Sequence, residues 1–106
     1  MQKIIINGRE YSMQFNMLTA VTFQRLTGKD PFSSVHEVTD LVEMGYSMAL
    51  ANNQDVPPFT DFVASIDTLD AMKAFIDAVN NEAARFFRLE KGDDTGTDTG
   101  EDEKKN

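Results

Sequence analysis

Ile4-Ile5-Ile6-Asn7-Gly8-Arg9-Glu10-Tyr11 is the stretch that decides the fold class. Asn-Gly stands between two strand-like runs, and a two-residue hairpin turn needs positive φ at both central positions, which Asn and Gly tolerate best. Such a loop pairs Ile6 with Arg9, Ile4 with Tyr11 and Gln2 with Met13. Because side chains alternate along a strand, one face then carries Ile4, Ile6, Tyr11, Met13 and Phe15. The other carries Lys3, Ser12, Glu10 and Gln14, with Ile5 as its single large apolar residue. A two-stranded hairpin is marginal alone in water, so its apolar face is expected to lie on helices or on another strand.

Helical patterns follow. Asn16 is placed as an N-cap and Gly28 as the residue after the last turn, with Pro31 just beyond, which frames a helix over about residues 17–27. Met17, Leu18, Ala20, Val21, Phe23 and Leu26 cover most of its circumference. A helix like this is either central in the core or keeps a second apolar face for a partner; the central placement is the expectation. Ser34-Val35-His36-Glu37 has the spacing of a capping box and opens a helix over about 34–51, with Val35, Val38, Leu41, Val42, Gly45, Met48 and Ala49 at three- and four-residue intervals. Gly45 is costly inside a helix, so it either admits a neighbouring backbone or is simply tolerated.

Pro57-Pro58 imposes an extended connection. Thr60 is expected to cap a short helix over 60–65, with Phe59, Phe62, Val63 and Ile66 turned inward. The longest helix is expected over 68–91, on the stripe Leu69, Met72, Ile76, Val79, Ala83 and Phe86, widened by Phe75 and Phe87. Arg85, Arg88 and Lys91 complement its C-terminal dipole. Residues 92–106 contain no large apolar side chain, and nothing there offsets ordering entropy; an acidic disordered tail is expected. The expected architecture is therefore α+β and mainly α. A hairpin over 2–15 packs on a bundle of about four helices in one folded domain of residues 1–91.

Composition narrows the function. The chain has 106 residues, 41% of them hydrophobic and 26% charged, the mix of a folded globular protein. It has no cysteine, which excludes disulfides, thiolate metal sites and a cysteine nucleophile. The net charge is −8, half of it in residues 92–106, and this works against nucleic-acid binding, where Lys and Arg supply most of the affinity. No apolar run is long enough for a membrane span, and no basic segment leading into an apolar stretch opens the chain, so a cytoplasmic protein is expected.

Motifs for chemistry are missing. Asp94-Thr95-Gly96 and Asp98-Thr99-Gly100 spell the aspartic-protease triplet, but that chemistry needs two carboxylates held together in a rigid apolar surround, not a repetitive acidic tail. His36 is the only histidine and has no obvious base-orienting neighbour. No Walker loop, dinucleotide fingerprint or nucleophile elbow occurs. A protein that is not an enzyme, without cofactor or metal, is the expectation.

Beyond the hairpin, Leu26-Thr27-Gly28-Lys29-Asp30-Pro31-Phe32 closes the first helix. Leu41-Val42-Glu43-Met44-Gly45-Tyr46-Ser47-Met48-Ala49 fills the second, and Thr60-Asp61-Phe62-Val63-Ala64-Ser65-Ile66-Asp67 follows the proline break. In this order, over about residues 2–90, the chain resembles the tail assembly chaperones of long-tailed bacteriophages. Members of that family usually show a more regular leucine, small-residue, leucine stretch where Gly45-Tyr46-Ser47-Met48 stands. The resemblance implies a protein that coats the tape-measure protein, a very long helical chain, and keeps it soluble until tail-tube protein displaces it during polymerisation. It also implies a homo-oligomer that touches neither nucleic acid nor membrane and is not retained in the mature virion.

The residues themselves suggest where a client would bind. Six methionines in a small chain suit an adaptable surface, since Met is unbranched and polarizable, although the same property fills core gaps. Met17, Met44 and Met48, with Phe23, Phe32, Tyr46, Phe59, Phe62, Phe86 and Phe87, are the candidate partner-binding residues; the alternative for each is the core. Two other functions fit an acidic chain without catalytic motifs: a regulator that mimics DNA on a basic surface, and a small structural tail subunit.

Overall fold

The structure, a computed structural model, describes residues 2–33 and 37–91, the last five by their backbone alone. Strands β1 (Gln2–Ile6) and β2 (Arg9–Met13) form the hairpin, followed by α1 (Met17–Thr27), α2 (Val38–Asn52), α3 (Phe59–Ser65) and α4 (Leu69–Lys91). The fold is α+β with helices predominant.

The turn takes the conformation its sequence requires, with φ of 51° at Asn7 and 81° at Gly8. The register is Gln2 to Met13, Ile4 to Tyr11 and Ile6 to Arg9. Ile4, Ile6, Tyr11, Met13 and Phe15 are buried, while Ile5 on the opposite face is 65% exposed. β1 lies against α4 and β2 against α2. Asn53 closes the outer edge of β2: its side-chain oxygen accepts from the Ser12 N–H at 3.0 Å and its amide donates to the Ser12 carbonyl at 2.9 Å. Arg9 reaches the carbonyls of Gln54 and Asp55 along the same edge, with its guanidinium 4.6 Å from the Tyr11 ring centroid.

Asn16 caps α1 by accepting from the Thr19 N–H at 2.9 Å, and Gly28 ends it at φ 74°. α1 is not central. It packs chiefly on α2 through Thr19, Ala20 and Phe23, leaving Met17, Leu18, Val21 and Leu26 exposed. The hairpin, α2 and α4 already enclose the core, and only one side of α1 meets it.

α2 starts at Val38 rather than near residue 34. Glu37 is extended at φ −112° and ψ 167°, and its N–H donates to the Asp40 carboxylate at 3.2 Å, so the reciprocal cap is Glu37 with Asp40. Ser34, Val35 and His36 lie outside the described residues, as does the segment 92–106 expected to be a disordered tail. Lys29 pairs with both Asp40 and Glu43, tying the end of α1 to the start of α2. Its ammonium titrates above the usual lysine range, first through the Asp40 hydrogen bond and then through Glu43.

α3 begins one residue before Thr60, because the Pro58 carbonyl already accepts from the Phe62 N–H at 2.8 Å. Thr68 caps α4 through its hydroxyl, which accepts from the Ala71 N–H at 3.1 Å. Gly45 belongs to a close approach. A Cβ there would fall 2.2 Å from Phe75 Cζ and 2.8 Å from Val79 Cγ2, so the bare backbone of α2 is what lets α4 lie against it. Phe62 is at the centre of the core, its ring centroid 5.3 Å from Tyr11, 5.1 Å from Tyr46 and 5.9 Å from Phe75.

Candidate partner-binding surface

The ten candidate residues separate by burial. Phe23, Met48 and Phe62 are fully buried, and Met44 and Tyr46 nearly so; these five build the core and offer no surface to a partner. The reason is geometric. Each lies where α1, α2 or α3 faces another element, and a chain this small needs its large side chains inside. Tyr46 also uses its polar end internally, donating its hydroxyl to the Pro57 carbonyl at 2.6 Å, and burial pushes its phenol above the usual tyrosine range. The Phe87 side chain lies outside the described residues.

Met17, Phe32 and Phe59 remain exposed. Phe32 stacks on Phe86 with centroids 5.8 Å apart, and both approach Phe15, so the loop after α1 is pinned to α4 by rings. Phe59 meets Tyr46 edge-on at 5.3 Å and closes one side of a recess of about 230 Å³ lined also by Leu26, Thr27 and Glu43.

A strongly apolar opening among the described residues was not among the candidates. Val38 and Val42 of α2, Val63 and Ile66 at the end of α3, and Met72, Phe75 and Ile76 of α4 line a groove of about 310 Å³. Val38 is 76% and Met72 47% exposed at its rim. Leu69, also exposed, extends the α4 side, so Leu69, Met72 and Ile76 run along the helix at i, i+3 and i+7. The sequence did hold a signal for this surface: the apolar stripe of α4 is wider than one contact face needs. Which part of it turns outward depends on where Gly45 seats α4.

At the far end of α4 a charged clasp holds the chain leaving the hairpin. Glu82 is 4% exposed and accepts from the Phe15 N–H at 2.9 Å, while Arg85 donates to the Phe15 carbonyl at 3.0 Å and to Glu82 at 2.9 Å. Burial alone would raise the Glu82 carboxyl. The Arg85 hydrogen bond, the Phe15 N–H, the Arg85 charge and the Gln2 amide together outweigh it and hold the group below the usual glutamate range. This is a structural clasp; both partners are engaged with backbone and with each other.

Among the described residues no group of His, Asp and Glu side chains is placed to hold a metal ion, and no helix is long and apolar enough to cross a membrane. Comparison with protein-family models, with curated proteins and with solved structures found no match to the chain.

Proposed function

We propose that this protein is a non-catalytic chaperone of phage tail assembly, which binds helical segments of the tape-measure protein and keeps them soluble until tail-tube protein polymerises around them. The observation that carries this reading is the open groove between α2, α3 and α4, with the α4 row of exposed Leu69 and Met72 and half-buried Ile76 along it. An amphipathic helix recognised by a groove presents its anchors at i, i+3, i+4 and i+7, and the α4 row has the matching axial spacing, about 10 Å from first to last. Val38 and Met72 suit varied clients, one as a rigid wall and the other as a deformable one. The acidic charge of the chain would keep a loaded complex soluble.

Co-expression with the tape-measure protein tests this. The client is expected to gain solubility and to co-elute with the chaperone on gel filtration. Met72→Glu and Val38→Glu should abolish co-elution while changing stability by about 0.5 kcal/mol or less, because both side chains are already in water. A client that stays insoluble and never co-elutes with wild type would sink the proposal.

A further inference from the structure

The two edges of the hairpin are treated differently by the rest of the chain. With Ile6 and Arg9 flanking a two-residue turn, the register alternates, so that Lys3, Ile5, Glu10 and Ser12 turn their backbone N–H and C=O groups away from the partner strand. On the β2 side, Asn53 takes both groups of Ser12 and Arg9 binds the adjoining loop. On the β1 side, among the described residues, nothing takes those of Lys3 or Ile5. Beside this bare edge runs an open groove of about 560 Å³, floored by the small side chains of Ala71 and Ala74 and walled by β1. Ile5, 65% exposed, stands at its rim.

We propose that a second copy of this chain occupies that edge, β1 pairing antiparallel with β1 about a two-fold axis at Ile4 to make a continuous four-stranded sheet. The alternation of outward groups limits the register to pairings of outward with outward positions. Of these, the one centred on Ile4 avoids setting Lys3 against Lys3 and places Lys3 opposite Ile5 of the other copy and Ile5 opposite its Lys3, which supplies about four inter-chain backbone hydrogen bonds. In this register the side chains on the outer face complement each other. The Lys3 stem of one copy lies over Ile5 of the other, and its ammonium points toward Glu10, two strands or roughly 10 Å away, within the combined reach of the two side chains. Charge also selects this edge for self-pairing: the strand brings a lysine to a groove whose walls carry Glu10, Asp67 and Asp70. Among the described residues the β2 edge is obstructed by Asn53 on Ser12 and by the 53–55 loop that Arg9 holds, so β1 is the edge open along its length and the assembly closes at two.

Proline substitution separates pairing from folding. At position 5 or 3 it deletes an N–H that points out of the hairpin and breaks no bond between β1 and β2. Sedimentation of wild type over a concentration series is expected to approach twice the chain mass of 11.9 kDa. Ile5→Pro and Lys3→Pro should stay at one chain mass with an unaltered far-ultraviolet spectrum. Should either proline variant unfold, amide exchange on wild type gives the same decision: the Lys3 and Ile5 amides should slow severalfold as concentration rises. A wild type that remains monomeric throughout, a dimer that persists in folded Ile5→Pro, or edge amides protected only after client is added would each overturn the pairing.

Discussion

Glu82 shows how one residue fixes the junction between the hairpin and the helices. Its carboxylate accepts the Phe15 N–H while Arg85, one turn on, takes the Phe15 carbonyl. A carboxyl whose folded pKa is depressed adds stability that is fully present above its unfolded value, about 4.3, and is lost as pH falls through the lower folded value. Glu82→Gln keeps an acceptor for Phe15 but loses the charge-assisted bonds to Arg85. It is expected to cost about 1–2 kcal/mol near neutral pH and to remove this part of the acid dependence. Urea midpoints compared at neutral and acid pH check both effects. The opposite result, an unchanged acid limb in Glu82→Gln, would assign the acid sensitivity to other carboxylates.

At the scale of elements, α2 is the hub, and its contact with α4 rests on Gly45. An alanine there would gain about 1 kcal/mol of helix propensity. Against this, its methyl overlaps Phe75, whose ring is 2% exposed and backed by Phe62, so the ring cannot swing aside cheaply. Overpacking of this kind costs about 1–3 kcal/mol, and the sterics are expected to win. Gly45→Ala should lower stability by about 1 kcal/mol by chemical denaturation, and Gly45→Val by more. Because Gly45 also seats α4 beside α3, the same variants should weaken client binding through the groove. α1 behaves differently: Met17, Leu18 and Val21 are in water, and the helix contributes to the core mainly through Phe23.

For the whole molecule, acidity and exposed apolar surface act against each other. A net charge of −8 opposes indiscriminate aggregation at neutral pH, although Leu18, Ile5, Leu69 and Met72 are all exposed. Near the isoelectric point of about 4.4 that repulsion vanishes while the apolar surface stays. Light scattering is expected to peak there and to fall on either side. Val38→Glu and Met72→Glu together should reduce the peak, since they remove apolar surface at the groove rim. A flat scattering profile through this range would mean that these residues are not available to other molecules.

The sequence by itself determined the elements whose causes are local. Asn7-Gly8 set the turn and hence the register, and the alternation of Ile4, Ile6, Tyr11 and Met13 chose the buried face. Asn16 and Gly28 bounded α1. These follow from the φ preferences of single residues and from hydrogen bonds that close within a few positions. Only the tertiary structure decided which apolar residues were left over. Phe23, Met48 and Phe62 are as hydrophobic as Met17, Phe59 and Met72, yet the first three are sealed and the others are not. Periodicity shows that a helix has an apolar face; how much of that face is covered depends on the distance and angle of its neighbours. Here that placement rests on close approaches such as Gly45 to Phe75 and on side chains reaching across the fold, Asn53 to Ser12 and Glu82 to Phe15. Contacts between residues so far apart in the chain leave no mark in any local pattern.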